Sequence, residues 1–263
     1  MKGPVERRGI PLRAVVPNAV TALALCSGLS GIRFAIAEKW DVAIAMIMIA
    51  AVLDGMDGRI ARMLNGSSRF GAELDSLSDV IAFGVSPAVI LHLWSLQFWP
   101  RFGWIFALAY AVCMALRLAR FNARIDVEDQ PHKSAGFLTG VPAPAGAALL
   151  LLPILLWLAS DRQWTWLQDY RLVAPWAAAI AFLVISSLAT YSWTSFRLRR
   201  RVRLEAIVII AIVGGALLTA PWETLSVLAV LYLAAIPLSI LSYSRVKAQR
   251  AAASRPPEPP RGA

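Results

Sequence analysis

Four aspartates, Asp54, Asp57, Asp75 and Asp79, fall within the 26-residue stretch DGMDGRIARMLNGSSRFGAELDSLSD. They come as two pairs, one spaced i, i+3 and the other i, i+4, so on helices each pair shares a face. The flanking runs are apolar enough to lie in a bilayer, where an isolated carboxylate costs at least about 2.5 kcal/mol. Four carboxylates together need a compensating partner. A hard divalent cation, which prefers oxygen ligands, has the matching chemistry. Two facing helices, each offering two carboxylates, can hold one or two Mg²⁺ or Mn²⁺ ions. Gly58 and Ala61 lie on the side of Asp54 and Asp57, and Gly71 lies one turn before Asp75. Small residues beside metal ligands leave room for a substrate to approach the backbone. The plainer alternative, charges at helix ends that snorkel to water, fits poorly: aspartate is short, and snorkelling does not explain the paired spacing.

The elements that must position these residues are membrane helices. The chain has 263 residues, is 58% hydrophobic and contains ten Trp, an excess that excludes an ordinary soluble domain. The length suits one polytopic, all-α domain. Apolar runs long enough to cross a bilayer need about 20 residues. Eight are expected, at 15–37, 41–63, 72–97, 103–123, 138–159, 172–195, 205–220 and 225–244, the seventh being short. The net charge of +10 is not a nucleic-acid footprint, because the basic residues sit in short loops between apolar runs. With the N-terminus inside, 21 of the 26 Lys and Arg fall in inside segments. The positive-inside rule then makes both termini and the aspartate cluster cytoplasmic, in a cell membrane protein. The basic N-terminus MKGPVERRGIPLR precedes an apolar run without a small-residue cleavage site, which predicts a retained first span.

Other stretches leave alternatives open. Asn18 and Thr21 in the first span are either polar residues of a helix start near Pro17 or part of the site. In RLARFNAR (117–124), Arg117, Arg120 and Arg124 share a helical face. Arg124 reads as a headgroup contact, whereas Arg117 and Arg120 lie deeper, where arginine usually faces a partner. The Gly- and Pro-rich stretch 131–146 is either a helix start or a loop over the site. The run FRLRRRVR (196–203) is a basic loop attracted to anionic lipid, at about 1 kcal/mol per charge. The segment from Ala248 on, Pro-rich and polar, reads as a disordered tail. Cys26 and Cys113 read as small core residues, and His92 and His132 have no ligand-spaced neighbours.

The pattern D-x-x-D-G-x-x-A-R-x8-G-x-x-x-D-x-x-x-D, filled by Asp54, Asp57, Gly58, Ala61, Arg62, Gly71, Asp75 and Asp79, resembles the signature of the CDP-alcohol phosphotransferase family. Three further stretches resemble its phosphatidylserine synthase branch: GAELDSLSDVIAFGVSPA (71–88), RLARFN (117–122) and FLTGVPAPAGAA (137–148). One departure is Ala24, where many relatives carry asparagine. The resemblance implies a six-helix core over 15–200 after a basic N-terminus (1–14), two added helices over 201–247 and a tail over 248–263. It implies transfer of the phosphatidyl group of CDP-diacylglycerol to L-serine, with glycerol 3-phosphate, inositol or choline as the acceptors of sister branches. Asp54, Asp57, Asp75 and Asp79 would hold Mg²⁺ or Mn²⁺, as two ions, with Asp79 also the general base. Gly58, Ala61 and Gly71 would make room for the cytidine and pyrophosphate, and Arg62 would hold a phosphate or brace the aspartates. Arg117 and Arg120 would receive the acceptor's carboxylate. A homodimer surrounded by membrane lipid is also implied. A divalent-cation channel is the alternative of a different class. Gly58, Ala61, Arg62 and Gly71 argue against it, because a cation path gains nothing from a fixed arginine beside its carboxylates.

Overall fold

The computed structural model describes residues 12–64, 66, 68–123, 137–139, 141–186, 189–191 and 203–253. They form two compact units, one of residues 1–126 with 142–185 and one of 127–141 with 186–263. The first unit holds α1 (Leu12–Ile36), α2 (Trp40–Met63), α3 (Arg69–Asp79), a π-helical turn (Val80–Val85), α4 (Ser86–Trp94), α5 (Gly103–Asn122), α6 (Ala143–Leu150), α7 (Leu152–Ala159) and α8 (Tyr170–Ile185). The second holds α9 (Arg203–Thr219), α10 (Pro221–Ala253) and a ribbon of β1 (Phe137–Thr139) and β2 (Ala189–Tyr191). The ribbon is antiparallel, with Leu138 opposite Thr190.

The chain is a helical membrane-embedded protein, and each of the eight expected apolar runs overlaps helix in part or whole. Three stretches are long and apolar enough to cross a bilayer by length and composition: Val15–Ile36, Arg69–Trp94 and Gly103–Asn122. Helix α2 is as long, but carries Asp41, Asp54, Asp57, Arg59 and Arg62. Three bounds differ from expectation. The run at 138–159 opens with β1, and helix begins only at Ala143, after Pro142. Within the run at 172–195, α8 ends at Ile185 and residues 189–191 are strand β2. Helix α10 continues to Ala253, six residues into the segment read as a tail. Ala, Gln and Arg there are good helix formers, and the proline-rich part starts only at Pro256.

Prolines shape the first unit, and neighbouring helices answer them. Pro87 has no N–H to give the Phe83 carbonyl four residues earlier, and Tyr110 Oη of α5 donates to that carbonyl at 3.1 Å. Pro153 likewise cannot reach Leu149, whose carbonyl accepts from Trp176 Nε1 of α8 at 3.0 Å. In a bilayer each such orphan would cost several kcal/mol, so these bonds bind α5 to the π turn and α8 to α6.

Helix α1 is the central support of the site. It ends in a Schellman turn, with Glu38 left-handed (φ 56°), Lys39 N–H donating to Phe34 O and Glu38 N–H to Ala35 O. The chain reverses there, and α2 packs back along α1. Gly28 lets α1 meet the π turn closely: a Cβ at Gly28 would lie 2.8 Å from Ala82 Cα.

Candidate active site

The two aspartate pairs come from α2 and α3. Helix α3 starts where Ser68 Oγ accepts from Gly71 N–H at 3.0 Å, an N-cap that sets the helix phase carrying Asp75 and Asp79. Ligand oxygens of Asp54, Asp57 and Asp75 all lie within 4.8 Å of one another. Asp57 is buried, and the other two are half-buried. Asp79, one turn beyond Asp75, is not in that triad. Its carboxyl is within hydrogen-bonding reach of Asp54, and the Arg117 guanidinium is close enough to act on its charge.

Three converging carboxylates suit a hard divalent cation, and the donor set is all oxygen. The residues present therefore fit a divalent metal.

Beside the triad lies a cleft of about 190 Å³, lined among others by Asp57, Asp75, Gly58, Ala61, Gly66 and Gly71. The signature's small residues thus form its wall. Space beyond Gly58 is open: a Cβ there would meet nothing within 4 Å. Gly71 is tight instead, since a Cβ would lie 2.8 Å from Asn18 Oδ1. Arg62 is exposed, and its Nε donates to Gly58 O at 3.0 Å, folding the side chain back over its own helix.

Asn18 and Thr21, left open by sequence, both line this cleft with Pro17. Thr21 Oγ1 lies 2.6 Å from Asp57 Oδ2. The available signal was polarity inside an apolar span, which does not distinguish a helix start from a site wall.

Helix α5 brings RLARFN to the same end of the unit. Arg117 and Arg120 are both part-buried. Arg120 Nη2 donates at 3.0 Å to the carbonyl of Ile185, the last residue of α8, so one guanidinium nitrogen serves a helix C-terminus. Asn122 Nδ2 donates to Ser76 Oγ of α3 at 2.8 Å, a contact that sequence reasoning missed. Arg124, His132, the 196–202 part of the basic loop and residues 131–136 of the Gly/Pro-rich stretch lie outside the described residues.

The chain is similar to known proteins over most of its length. The family model described as CDP-alcohol phosphatidyltransferase matches residues 14–185, and CDP-alcohol phosphatidyltransferase 2 matches 201–237. A CDP-diacylglycerol–serine O-phosphatidyltransferase of Mycobacterium tuberculosis is 37% identical over 91% of this chain and 82% of its own. The Mycobacterium leprae protein of that name is 38% identical over 90% and 78%. One from Helicobacter pylori is 32% identical over 82% and 87%.

Proposed function

The chain belongs to the CDP-alcohol phosphatidyltransferase family, and we propose that it transfers the phosphatidyl group of CDP-diacylglycerol to the hydroxyl of L-serine, giving phosphatidylserine and CMP. The observation that carries the reading is the convergence of Asp54, Asp57 and Asp75 on a cleft walled by the signature's small residues. The named relatives support serine as the acceptor.

In this reading Asp54, Asp57 and Asp75 hold Mg²⁺ or Mn²⁺, as one ion or two, with Asp79 at the edge of the set. The metal, when bound, neutralises the pyrophosphate and the charge that develops on the leaving CMP oxygen. Gly58 and Ala61 admit the nucleotide to the backbone, Gly71 leaves room for the Asn18 side chain in the cleft wall, and Arg62 meets a phosphate. The acyl chains stay in the bilayer. A carboxylate oxygen of Asp79 takes the proton of the serine hydroxyl. The serine oxygen bonds to the phosphorus that carries diacylglycerol, and the bond from that phosphorus to CMP breaks. Arg117 receives the serine carboxylate, with Arg120 one turn on. The family's other acceptors make the same demand on the aspartates, so acceptor choice belongs to α5 in this reading. We also place both termini and the site on the cytoplasmic side, by the distribution of Lys and Arg, with eight crossings and a homodimer as the working assembly.

The test is a headgroup screen on the purified protein. CDP-diacylglycerol is supplied with labelled serine, glycerol 3-phosphate, inositol or choline, and the lipid products are identified. Phosphatidylserine with stoichiometric CMP is expected. Another headgroup would overturn the acceptor, and cation flux without CMP release would overturn the enzyme reading.

A further inference from the structure

The backbones of α2 and α3, which supply the two aspartate pairs, make few close approaches, and the two helices meet through their carboxylates. Each packs on α1. Helix α1 thus bridges the two carboxylate helices, and one of its residues reaches both. The hydroxyl of Thr21 lies 2.6 Å from Oδ2 of Asp57 in α2, and its backbone carbonyl accepts from Ser78 Oγ of α3 at 3.2 Å. All three are buried, Thr21 at 4%, Asp57 at 5% and Ser78 at 3% exposure.

The Thr21 hydroxyl has one hydrogen and two acceptors in reach, the Pro17 carbonyl at 3.1 Å and Asp57 Oδ2 at 2.6 Å. The shorter, charge-assisted bond takes it. One oxygen of Asp57 is then held by α1, and the carboxylate loses its rotational freedom. The Ser78 bond fixes the height of α3 on α1, three residues after Asp75 and one before Asp79.

We propose that Thr21 is a positioning residue for the metal site: it orients Asp57 through its hydroxyl and, through Ser78, sets the spacing between the two carboxylate helices. The inference rests on the metal reading of the preceding subsection. Hydrogen-bond partners of metal ligands commonly change metal affinity by about 10–100-fold when removed. Thr21 does this from a third helix, so it couples the two halves of the site.

The test measures Mn²⁺ binding directly, by electron paramagnetic resonance on the detergent-solubilised full chain, together with the rise in thermal midpoint that Mn²⁺ produces. Thr21→Val keeps the side-chain shape without the hydroxyl, Thr21→Ser keeps the hydroxyl, and Ser78→Ala removes only the tie to α3. Thr21→Val is expected to weaken Mn²⁺ binding by roughly 10-fold or more and to shrink the Mn²⁺-induced stabilisation. Thr21→Ser should bind close to wild type, and Ser78→Ala should weaken binding even though Asp57 keeps its partner. Wild-type Mn²⁺ affinity in both Thr21→Val and Ser78→Ala overturns the proposal while leaving the metal reading intact. Should Thr21→Val fail to fold, wild-type affinity in Ser78→Ala alone overturns the spacing role. Absence of Mn²⁺ binding to the wild-type chain overturns the metal reading, and this inference with it.

Discussion

Asn122 ends α5 by donating to Ser76 Oγ at 2.8 Å, and Ser76 in turn donates to the Ala72 carbonyl at 3.0 Å. The chain of bonds joins α5 to α3 at the residue next to Asp75. Asn122→Ala and Ser76→Ala should each cost about 1 kcal/mol of stability and reduce turnover several-fold, because α3 loses one of its lateral ties. The double variant should be little worse than either single one, since both break one contact. Additive losses in a thermal-midpoint cycle would show that the two residues act separately.

The aspartates divide by position. Asp54→Asn, Asp57→Asn and Asp75→Asn should each nearly abolish turnover and weaken Mn²⁺ binding, because each removes an oxygen donor from the converging triad. Asp79→Asn should abolish turnover while retaining most of the binding, as befits a proton acceptor beside the triad. Binding isotherms and product assays on the four variants separate the roles. Full activity in excess chelator would contradict the metal requirement.

Two glycines in one helix distinguish cleft from surface. Cβ atoms at Gly55 and Gly58 would both meet open space, but only Gly58 lines the cleft. Alanine in a helix interior is favoured over glycine by about 0.5–1 kcal/mol. Both Gly55→Ala and Gly58→Ala should therefore raise the thermal midpoint. Only Gly58→Ala should raise the KM for CDP-diacylglycerol, because its methyl group enters space the nucleotide needs.

The arginines of α5 should respond differently. Arg117→Ala is expected to raise the serine KM by more than 10-fold with a small change for CDP-diacylglycerol, the loss of a charge-assisted contact of roughly 1.5–3 kcal/mol. Arg117→Lys should rescue only part, since the bidentate fork is gone. Arg120→Ala should also lower thermal stability, because the Ile185 carbonyl loses its donor. An unchanged serine KM in both alanine variants, with impaired CDP-diacylglycerol binding, would assign these arginines to the nucleotide side.

Orientation is tested by single cysteines in a background lacking Cys26 and Cys113. Impermeant reagent added outside intact cells should label positions near Lys39, Arg162 and Glu223. It should not reach positions in the 64–70 loop or near Arg200. Outside labelling of the 64–70 loop would reverse the proposed topology.

Much of the site is local and so was readable from sequence. Spacings of three and four place Asp54 with Asp57 and Asp75 with Asp79 on single helix faces wherever those helices sit. The same holds for Gly58 and Ala61, which reappear along the cleft wall. Apolar run length located the helices, because a bilayer demands it. Run length could not find their ends where partners decide them. Helix α8 stops at Ile185 under the Arg120 guanidinium, and α6 gives way to α7 near Pro153, with Trp176 meeting the carbonyl left over.

What only the tertiary structure decided is which side chains from distant segments meet. Nothing in the spacing of Thr21, Asp57 and Ser78, spread over 58 residues, says that one residue of α1 holds both carboxylate helices. Nor does RLARFN say that Arg120 serves a helix end or that Asn122 ties down Ser76. Helical periodicity fixes angles around one axis. The rotation and height of one helix against another come from packing, here the close approach at Gly28 and the carbonyls stranded by Pro87 and Pro153. Those contacts couple residues whose separation in the chain carries no periodic signal.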